Sequence, residues 1–412
     1  MDLKYVIDTK ENKEFLAENA KKLLDFGRRF PDKNGCSYYL GDDGTPWTER
    51  NVETWITSRM AHVYSISAML GDASGKKLAT EAIRGLSDSL ADKVNGGFFA
   101  ALTPAGEPVG PKQCYAHAFV ILAATSACLA GVDGAMELLE KAVEIYNKRF
   151  WDDSVGLAYD TWNTEFTELD DYRGVNANMH TVEAFLALAD TLDGEGSILY
   201  RKRAGRIISH VLEWAKDNDY RIPEHFNSGW EPELDKNKEN PNDPFKPYGA
   251  TPGHGIEWAR LISQWACSTS ELSGDEKKQF ISDSCALYQR ARSDAWYADG
   301  APGYAYTTDW EGNPVVHDRM HWTLAEAINT SSVLYRITGE QTYADDYAMY
   351  MEYLDKYVID HTCGSWFHQL NENNELIGTV WPGKSDLYHA YQSCLIPYSL
   401  VGVSIARAIH DK

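Results

Sequence analysis

The chain has 412 residues, of which 43% are hydrophobic and 24% are charged, as in an ordinary globular protein. Its 61 acidic residues outnumber its 39 basic ones and give a formal net charge of −22 at pH 7. This acidic excess opposes binding to nucleic acids and to anionic membranes, so we expect neither as a partner.

The opening residues and the cysteines bear on where the protein acts. The segment MDLKYVIDTKENKEFL carries charges throughout and lacks the apolar core of a secretory signal. Seven cysteines are scattered along the chain and form no CxxC pair, a distribution typical of reduced thiols. We therefore predict a cytoplasmic protein.

In chain order, charged amphipathic segments alternate with apolar ones. The amphipathic segments predict outer helices over residues 12–30, 75–94, 135–150, 197–216, 274–296 and 341–358. Short aromatic-rich pieces with Gly, Asp or Asn turns lie between these helices and the apolar segments, and they predict β-hairpins. The pieces are GCSYYLGDDG, GGFFAALTPAG, GLAYDTWN, GYAYTTDWEG and GSWFHQLNEN, with a weaker copy in IPEHFNSGWEP.

Six apolar helical stretches carry a histidine near their start. These histidines are His62, His117, His180, His254, His321 and His389. A polar residue that returns at a regular interval at the mouth of a hydrophobic helix indicates a repeat that closes into a ring. The sequence therefore predicts an all-α fold, an (α/α)6 barrel of six inner and six outer helices with short β-hairpins over one end, as a single domain over residues 1–412. We expect all six histidines to face a common centre.

Two further segments affect this architecture. Residues 113–132 contain no charged side chain and are long enough for a membrane span. We assign them to an inner helix, because His117, Thr125 and Ser126 lie among them and the same pattern recurs along the chain. Residues 224–248 are rich in Asn, Asp, Lys and Pro, and we predict a mobile loop over the mouth of the barrel.

Two motifs suggest ligands that their context does not support. The segment GTVWPGKS matches the phosphate-binding P-loop pattern, but Trp381 and Pro382 occupy positions that need small residues with backbone N–H groups. His317 and His321 have a spacing that suits a metal on one helix, but Arg319 lies between them and would repel a cation. We expect no nucleotide, metal or other cofactor.

The segment ATPGHGIEWARL places His254, Glu257 and Arg260 at spacings of three, near one face of a helix. A buried ion pair that satisfies itself is one interpretation. A binding site is the other, because the other inner helices carry matching polar groups. We predict substrate contacts from Arg59, His62, Tyr115, Asn176, His180, Glu326, Asp386 and Gln392, with aromatic walls from Trp55, Trp258, Trp322 and Trp381. Hydrogen-bonding groups mixed with aromatic faces suit a sugar.

In the segments SRMAHVYSI, NANMHTVEAF, TPGHGIEWARL and GKSDLYHAYQ, the chain resembles the N-acylglucosamine 2-epimerase superfamily, and within it the aldose–ketose isomerases. The resemblance implies metal-free interconversion of an aldose with its 2-ketose through a cis-enediolate, and we expect D-mannose to D-fructose. It implies that His254 and His389 move the proton between C1 and C2. It also implies that Glu257 orients or polarises His254, and that Arg59, His180 and Glu326 hold substrate oxygens.

Histidine suits this chemistry. A base that removes a proton beside a carbonyl and returns it must be neutral near pH 7, and imidazole has a reference pKa of about 6.5. The enediolate oxygen gains negative charge, so a cation such as Arg59 would lower the barrier. His180 is the candidate acid for opening the sugar ring.

Other activities are compatible with the same residues. A sulfoquinovose isomerase would need a cationic pocket for the sulfonate, for which Arg59 and Lys384 are candidates. A sugar 2-epimerase would use the same histidine pair but yield an aldose. A glycoside hydrolase of the same barrel type would use paired carboxylates. The candidates for that pair are Glu257, Glu326, Asp171 and Asp386. A sugar-binding module without catalysis would not need two titrating histidines.

Overall fold

The structure is a computed structural model and describes residues 4–412. This part of the chain contains thirteen α-helices. They are α1 (Lys10–Gly27), α2 (Thr54–Met69), α3 (Gly75–Arg84), α4 (Cys114–Leu129), α5 (Ala135–Arg149), α6 (Val175–Thr191), α7 (Gly194–Asp217), α8 (Pro252–Ser268), α9 (Gly274–Ala295), α10 (His321–Thr338), α11 (Gln341–Tyr353), α12 (Tyr388–Leu395) and α13 (Ile405–His410).

Six of these helices form a closed inner ring. Helix α2 packs against α4, α4 against α6, α6 against α8, α8 against α10, α10 against α12, and α12 against α2. An outer helix packs behind each inner one, in the pairs α1 with α12, α3 with α2, α5 with α4, α7 with α6, α9 with α8 and α11 with α10. The predicted (α/α)6 barrel is confirmed.

The burial of the two helix sets follows from their sequences. Inner helix α4, CYAHAFVILAATSACL, is buried along nearly its whole length because it has protein on every side. Outer helix α5 buries a stripe that includes Leu138, Ala142 and Tyr146, and its glutamates and lysines face solvent. No helix among the described residues, α4 included, is both long and apolar enough to cross a membrane.

Fifteen short strands occur in the described chain. They are β1 (Tyr39–Leu40), β2 (Pro46–Trp47), β3 (Val52–Glu53), β4 (Ala101–Leu102), β5 (Pro108–Val109), β6 (Lys112–Gln113), β7 (Trp151–Asp152), β8 (Leu157–Ala158), β9 (Thr161–Trp162), β10 (Arg173–Gly174), β11 (His225–Phe226), β12 (Thr307–Thr308), β13 (Pro314–Val316), β14 (Arg319–Met320) and β15 (Gln369–Leu370).

The strands hold the inner helices in register. Strands β3, β6, β10 and β14 lead directly into α2, α4, α6 and α10, and they pair with β4, β9, β11 and β15 of the following repeat. Each pairing therefore fixes the start of an inner helix at the same end of the barrel. At the opposite end, the C-terminal helix α13 packs against α2, α4 and α6.

The helix bounds differ from the prediction mainly at helix ends. Helices α3 and α11 each continue into one π-helical turn, Gly85–Ser89 and Leu354–Val358, which lie within the predicted outer helices. Residues 224–248 contain β11 and a series of turns, and Phe245 packs edge-on against Trp381 with ring centroids 6.0 Å apart. This segment does lie over the mouth of the barrel, as predicted, and its mobility stays a prediction.

Candidate active site

A cavity of about 530 Å³ opens at the strand end of the barrel, among the starts of the inner helices. Its size suits a small organic molecule. Of the residues predicted from the sequence, it is lined by His254, His389, Glu257, Arg59, Tyr115, Asn176, His180, Trp55, Trp322, Trp381 and Asp386. The ring of helices therefore brings residues from both halves of the chain into one site.

His254, in the first turn of α8, is held by a carboxylate from another part of the chain. Its Nδ1 lies 3.0 Å from Oε1 of Glu224, the residue before β11. Because a carboxylate accepts, this hydrogen bond assigns the proton to Nδ1 and leaves the Nε2 lone pair free. The imidazole lies 5.1 Å from the Trp322 ring, measured between centroids. His254 is thus an oriented base on the cavity wall.

His389, on α12, has a matching arrangement. Its Nδ1 lies 3.0 Å from Oε1 of Glu326, and its ring centroid is 5.9 Å from that of Trp322. Burial lowers the pKa of His389, which favours the neutral imidazole. The two histidines therefore contact the same tryptophan in the same cavity, and each is held by a glutamate through Nδ1.

A buried cluster of charges lies behind His389. Arg260 Nε donates to Oε2 of Glu326 at 2.8 Å, and Arg260 Nη2 donates to Oε1 of Glu257 at 3.4 Å. Burial raises the pKa of Glu257 well above its usual value, and the charge of Glu326 raises it further. This shift favours the neutral form of the Glu257 carboxyl group, and its Oε2 has no hydrogen-bond partner within the described chain.

His180, on α6, is the third histidine of interest. Its Nδ1 lies 3.3 Å from Oε2 of Glu183, one turn along the same helix. Burial lowers the pKa of His180 to about 4. Its ring packs edge-on against Tyr115, with centroids 5.1 Å apart. His180 is thus a neutral imidazole at pH 7. Its one N–H proton is in the hydrogen bond to Glu183, so it has no further proton to donate.

Arg59, on α2, is the buried cation of the cavity. Its Nη1 donates to Asp386 at 3.3 Å and its Nη2 donates to the Tyr115 hydroxyl at 2.9 Å. The guanidinium also lies over the rings of Trp55 and Tyr388, 4.8 and 4.7 Å from their centroids. Arginine stays protonated in proteins, so this side chain carries a permanent positive charge. The contacts hold that charge in one place on the cavity wall.

Two groups of three side chains have the spacing of metal ligands. In each group, His180 with Glu183 and Glu257, and Glu257 with Glu326 and His389, the candidate atoms lie within 4.8 Å of one another. The guanidinium of Arg260 donates to both Glu257 and Glu326, so a cation would compete with a positive charge already in place. The geometry favours a proton-transfer network over a metal centre.

A comparison with protein-family models matches residues 35–393 to the N-acylglucosamine 2-epimerase (GlcNAc 2-epimerase) family. The chain belongs to this family. It is 39% identical over 398 residues to a D-mannose isomerase of Pseudomonas cannabina pv. alisalensis, covering 96% of this chain and 95% of that protein. It is 36% identical over 401 residues to a D-mannose isomerase of Thermobifida fusca, covering 97% of each.

A solved structure extends the comparison to three dimensions. A crystal structure of D-mannose isomerase superposes on this epimerase-family chain with a TM-score of 0.86 and 26% identity, covering 95% of this chain and 98% of that one. The family fold and the ring of inner helices therefore agree with the resemblance seen in the sequence.

Four of the residues predicted to contact or wall the substrate lie outside the cavity of this epimerase-family chain: His62, Gln392, Glu326 and the fully buried Trp258. His62 and Gln392 face each other, with His62 Nε2 and Gln392 Nε2 3.3 Å apart, and line a separate cavity of about 40 Å³ at the closed end. His62 is in the middle of α2, and Gln392 is a turn beyond His389. Both are too deep in the ring to reach the mouth, so the prediction was wrong for them.

His117 also lies away from the cavity. Its Nε2 accepts from the backbone N–H of Phe98 at 3.0 Å, and its Nδ1 donates to the carbonyl of Gln113 at 2.7 Å. It thus anchors the hairpin to α4. The expectation that all six histidines face one centre is wrong for His62 and His117. The other four line the cavity.

The predicted roles of the two glutamates need correction. Glu326 is fully buried, does not line the cavity, and holds His389 instead of a substrate oxygen. Glu257 lines the cavity, but His254 Nδ1 donates its hydrogen bond to Glu224. Side chains of a helix lean toward its N-terminus, so His254 in the first turn reaches the hairpin outside the helix rather than Glu257.

Lys384 is not available for a sulfonate or a phosphate. It is fully buried, and its Nζ donates to Asp360 and to the carbonyl of Gly364 at 2.8 Å. Lys112 makes the equivalent contacts with Asp92 and the carbonyl of Gly96 in an earlier repeat. The P-loop-like segment therefore supplies a structural lysine that fastens a hairpin. His317 bonds Asp299 and precedes α10, so it shares no helix with His321.

Sequence reasoning missed cavity residues that come from hairpins. Glu224 and His368 lie in IPEHFNSGWEP and GSWFHQLNEN, for which the sequence predicts hairpins and, from residue 224, a loop over the mouth, but no site residue. His368 stacks on His321 with ring centroids 3.9 Å apart, and burial lowers the pKa of His368 to about 3. The signal that could have found them is the position of the hairpins. Hairpins that cover the mouth of the barrel present some of their side chains to the cavity.

Proposed function

We propose that this protein is an aldose–ketose isomerase that converts D-mannose to D-fructose. The observation that carries the proposal is the pair of histidines in one cavity, each oriented by a glutamate and both in contact with Trp322. The D-mannose isomerases at 39% and 36% identity over nearly the full chain support the same substrate.

The residues support proton transfer at carbon. His254 and His389 are the two groups that take the proton from C2 of the open-chain aldose and deliver one to C1. When the C2–H bond breaks, its electrons form the C1=C2 bond of an enediolate, and negative charge develops on O1. Transfer of the proton on O2 to O1, and delivery of a proton to C1 by the histidine pair, then give the 2-ketose. The glutamate behind each imidazole stabilises the imidazolium that forms transiently.

Other cavity residues serve the remaining steps. Arg59 is a fixed cation for the developing enediolate charge, and its aromatic surroundings keep it from moving. Ring opening needs one group to accept the O1 proton and one to donate to the ring oxygen. His180 is neutral at pH 7 and serves as the acceptor, and Glu257, with its raised pKa, serves as the donor. This assignment replaces His180 as the acid.

The charge of the cavity favours a neutral sugar over an anionic one. Apart from Glu257, whose raised pKa favours its neutral form, the acidic lining residues are Glu53, Asp160, Asp170, Glu224 and Asp386, whereas the basic ones are Arg59 and Lys246. Arg59 is already paired with Asp386, and Lys246 lies 3.7 Å from the centre of the Tyr172 ring at the mouth. A sulfonate would therefore meet an acidic surface with one free cation among the lining residues, which supports mannose over sulfoquinovose.

The test is incubation of the protein with D-mannose in D2O, followed by NMR and chromatography. Isomerisation gives fructose with deuterium at C1, to the extent that the histidine proton exchanges with solvent. A 2-epimerase would give glucose without fructose, and a glycoside hydrolase would release sugar from oligosaccharides and leave mannose unchanged. Absence of fructose would refute the proposal, and a higher kcat/KM for sulfoquinovose than for mannose would reassign the substrate.

We also propose that the protein acts in the cytoplasm, as its cysteine pattern predicts. The seven cysteines are all free thiols. Mass spectrometry of the protein denatured in an alkylating reagent without reductant should find every thiol modified, and a disulfide would contradict this.

A further inference from the structure

Resting on the proposed isomerase function, we propose that Glu224 is the positioning residue of His254, and that the hairpin carrying Glu224 is therefore part of the catalytic apparatus. Glu224 makes the hydrogen bond to His254 Nδ1 at 3.0 Å. The carboxylate is 5% exposed, so water competes little for it. His254 reaches no other carboxylate by a hydrogen bond within the described chain.

The backbone around Glu224 is rigidly attached to the barrel. The Glu224 carbonyl accepts from the N–H of Val175, the first residue of α6, at 3.2 Å. The next residue, His225, pairs with Gly174 in the sheet of β10 and β11. His225 Nε2 also donates to the carbonyl of Pro247 at 2.9 Å, which ties the two ends of the 224–248 segment together. The carboxylate is thus placed by a sheet and an inner helix rather than by a free loop.

The two histidine–glutamate pairs differ in their electrostatic surroundings. Glu326, behind His389, shares its charge with Arg260 at 2.8 Å. Glu224 has no arginine or lysine within salt-bridge distance in the described chain, and its ion-pair partner is His254 itself. A glutamate whose negative charge is not shared with an arginine stabilises a neighbouring imidazolium more strongly than one whose charge is shared. The two histidines therefore rest on carboxylates with different charge partners, and the carboxylate of Glu224 is paired with His254 alone.

The charged groups that face His254 are consistent with this assignment. Glu257 lies one turn further along α8 and is neutral, and Arg260 is directed to Glu257 and Glu326. Trp322 covers a face of the imidazole from α10. Glu224 is therefore the carboxyl group in contact with His254.

Three variants separate charge from shape. Glu224→Gln keeps a hydrogen-bond acceptor but removes the charge, Glu224→Ala removes both, and Glu224→Asp keeps the charge on a shorter side chain. We expect Glu224→Gln to lower kcat for mannose about 100-fold, within the range for general-base catalysis. The acid limb of its kcat/KM profile should move to lower pH, because the imidazolium form loses its counter-charge. Acetate should restore part of the activity of Glu224→Ala, which a purely structural role would not allow.

The control is Glu239→Gln, a change of an exposed glutamate in the same segment, which should leave kcat and the pH profile unchanged. A Glu224→Gln variant that folds, by circular dichroism, and keeps wild-type kcat and pH profile would overturn the inference. So would a variant in which only KM rises, since that indicates a substrate contact. If Glu224→Gln does not fold, the Glu224→Ala variant provides the test instead. A wild-type kcat of Glu224→Ala without acetate would overturn the inference, and so would a kcat that acetate does not raise. Wild-type protein that forms no fructose would reject the proposed function, which is a separate result.

Discussion

Replacement of Glu326 by Gln tests how charge is shared in the buried cluster behind His389. In this cluster, Glu257 and Glu326 together hold one negative charge opposite Arg260. Glu326 is fully buried and accepts from Arg260 Nε at 2.8 Å. Removing one partner of a buried pair costs about 3 to 5 kcal/mol. We expect about 3 kcal/mol for Glu326→Gln, at the low end, because loss of the Glu326 charge lowers the pKa of Glu257. Glu257 then ionises and compensates Arg260 from 3.4 Å.

The double variant makes the prediction quantitative. Glu257→Gln alone should change the free energy of unfolding by less than about 1 kcal/mol, because a neutral carboxyl is replaced by a neutral amide of similar shape. The double variant Glu257→Gln/Glu326→Gln should exceed the sum of the two single changes by about 1 kcal/mol or more, because no carboxylate then pairs with Arg260.

The assay is denaturant unfolding followed by circular dichroism, with the midpoint and slope compared for each variant. Glu81→Gln, which removes a surface ion pair with Arg84, is the matched control and should cost less than about 1 kcal/mol. Additive effects in the double variant would refute the shared charge. So would a Glu257→Gln variant as unstable as Glu326→Gln, since it would mean that Glu257 is ionised in the native protein.

Three further predictions follow from the same structure. His254→Asn and His389→Asn should each lower kcat for mannose at least about 100-fold with an unchanged circular dichroism spectrum, and wild-type turnover in either would remove that histidine from the mechanism. Burial lowers the pKa of His62 to about 4 and of His117 to about 3, whereas an unfolded imidazole titrates near about 6.5. The unfolded state therefore binds more protons below about pH 6.5, and each histidine removes about 1.4 kcal/mol of stability per pH unit down to its folded pKa. Calorimetry should show Tm falling from about pH 6.5 to about pH 4.5, and a constant Tm would contradict the assignment. Lys384→Met should destabilise the protein by about 3 kcal/mol or more, because Asp360 loses its buried partner, while the preference for mannose over sulfoquinovose stays unchanged in competition assays.

Much of the site could be predicted because the repeat is visible in the chain. Arg59, His180, His254 and His389 lie in the first part of inner helices that recur at similar intervals, and a ring of such helices must bring those ends together. The apolar inner helices and amphipathic outer ones also have distinct patterns, because burial on all sides and burial on one stripe demand different compositions.

Depth along a helix could not be predicted in the same way. His62 and His254 are both histidines near the start of an apolar stretch, yet one lies at the closed end and the other at the mouth. A difference of a turn or two in where the helix begins decides this, and short strands such as β3 set that beginning by pairing with a strand from the next repeat.

The helix repeat, the barrel and the kind of residue at its centre follow from local periodicity and composition, so they could be predicted from the chain alone. Which carboxylate holds which histidine became clear only in the folded protein. Glu224 reaches His254, and Glu326 reaches His389, across 30 and 63 residues of chain respectively. The family resemblance had implied Glu257 for His254, but a hydrogen bond depends on where folded segments meet, and that is fixed by packing and sheet pairing rather than by local pattern.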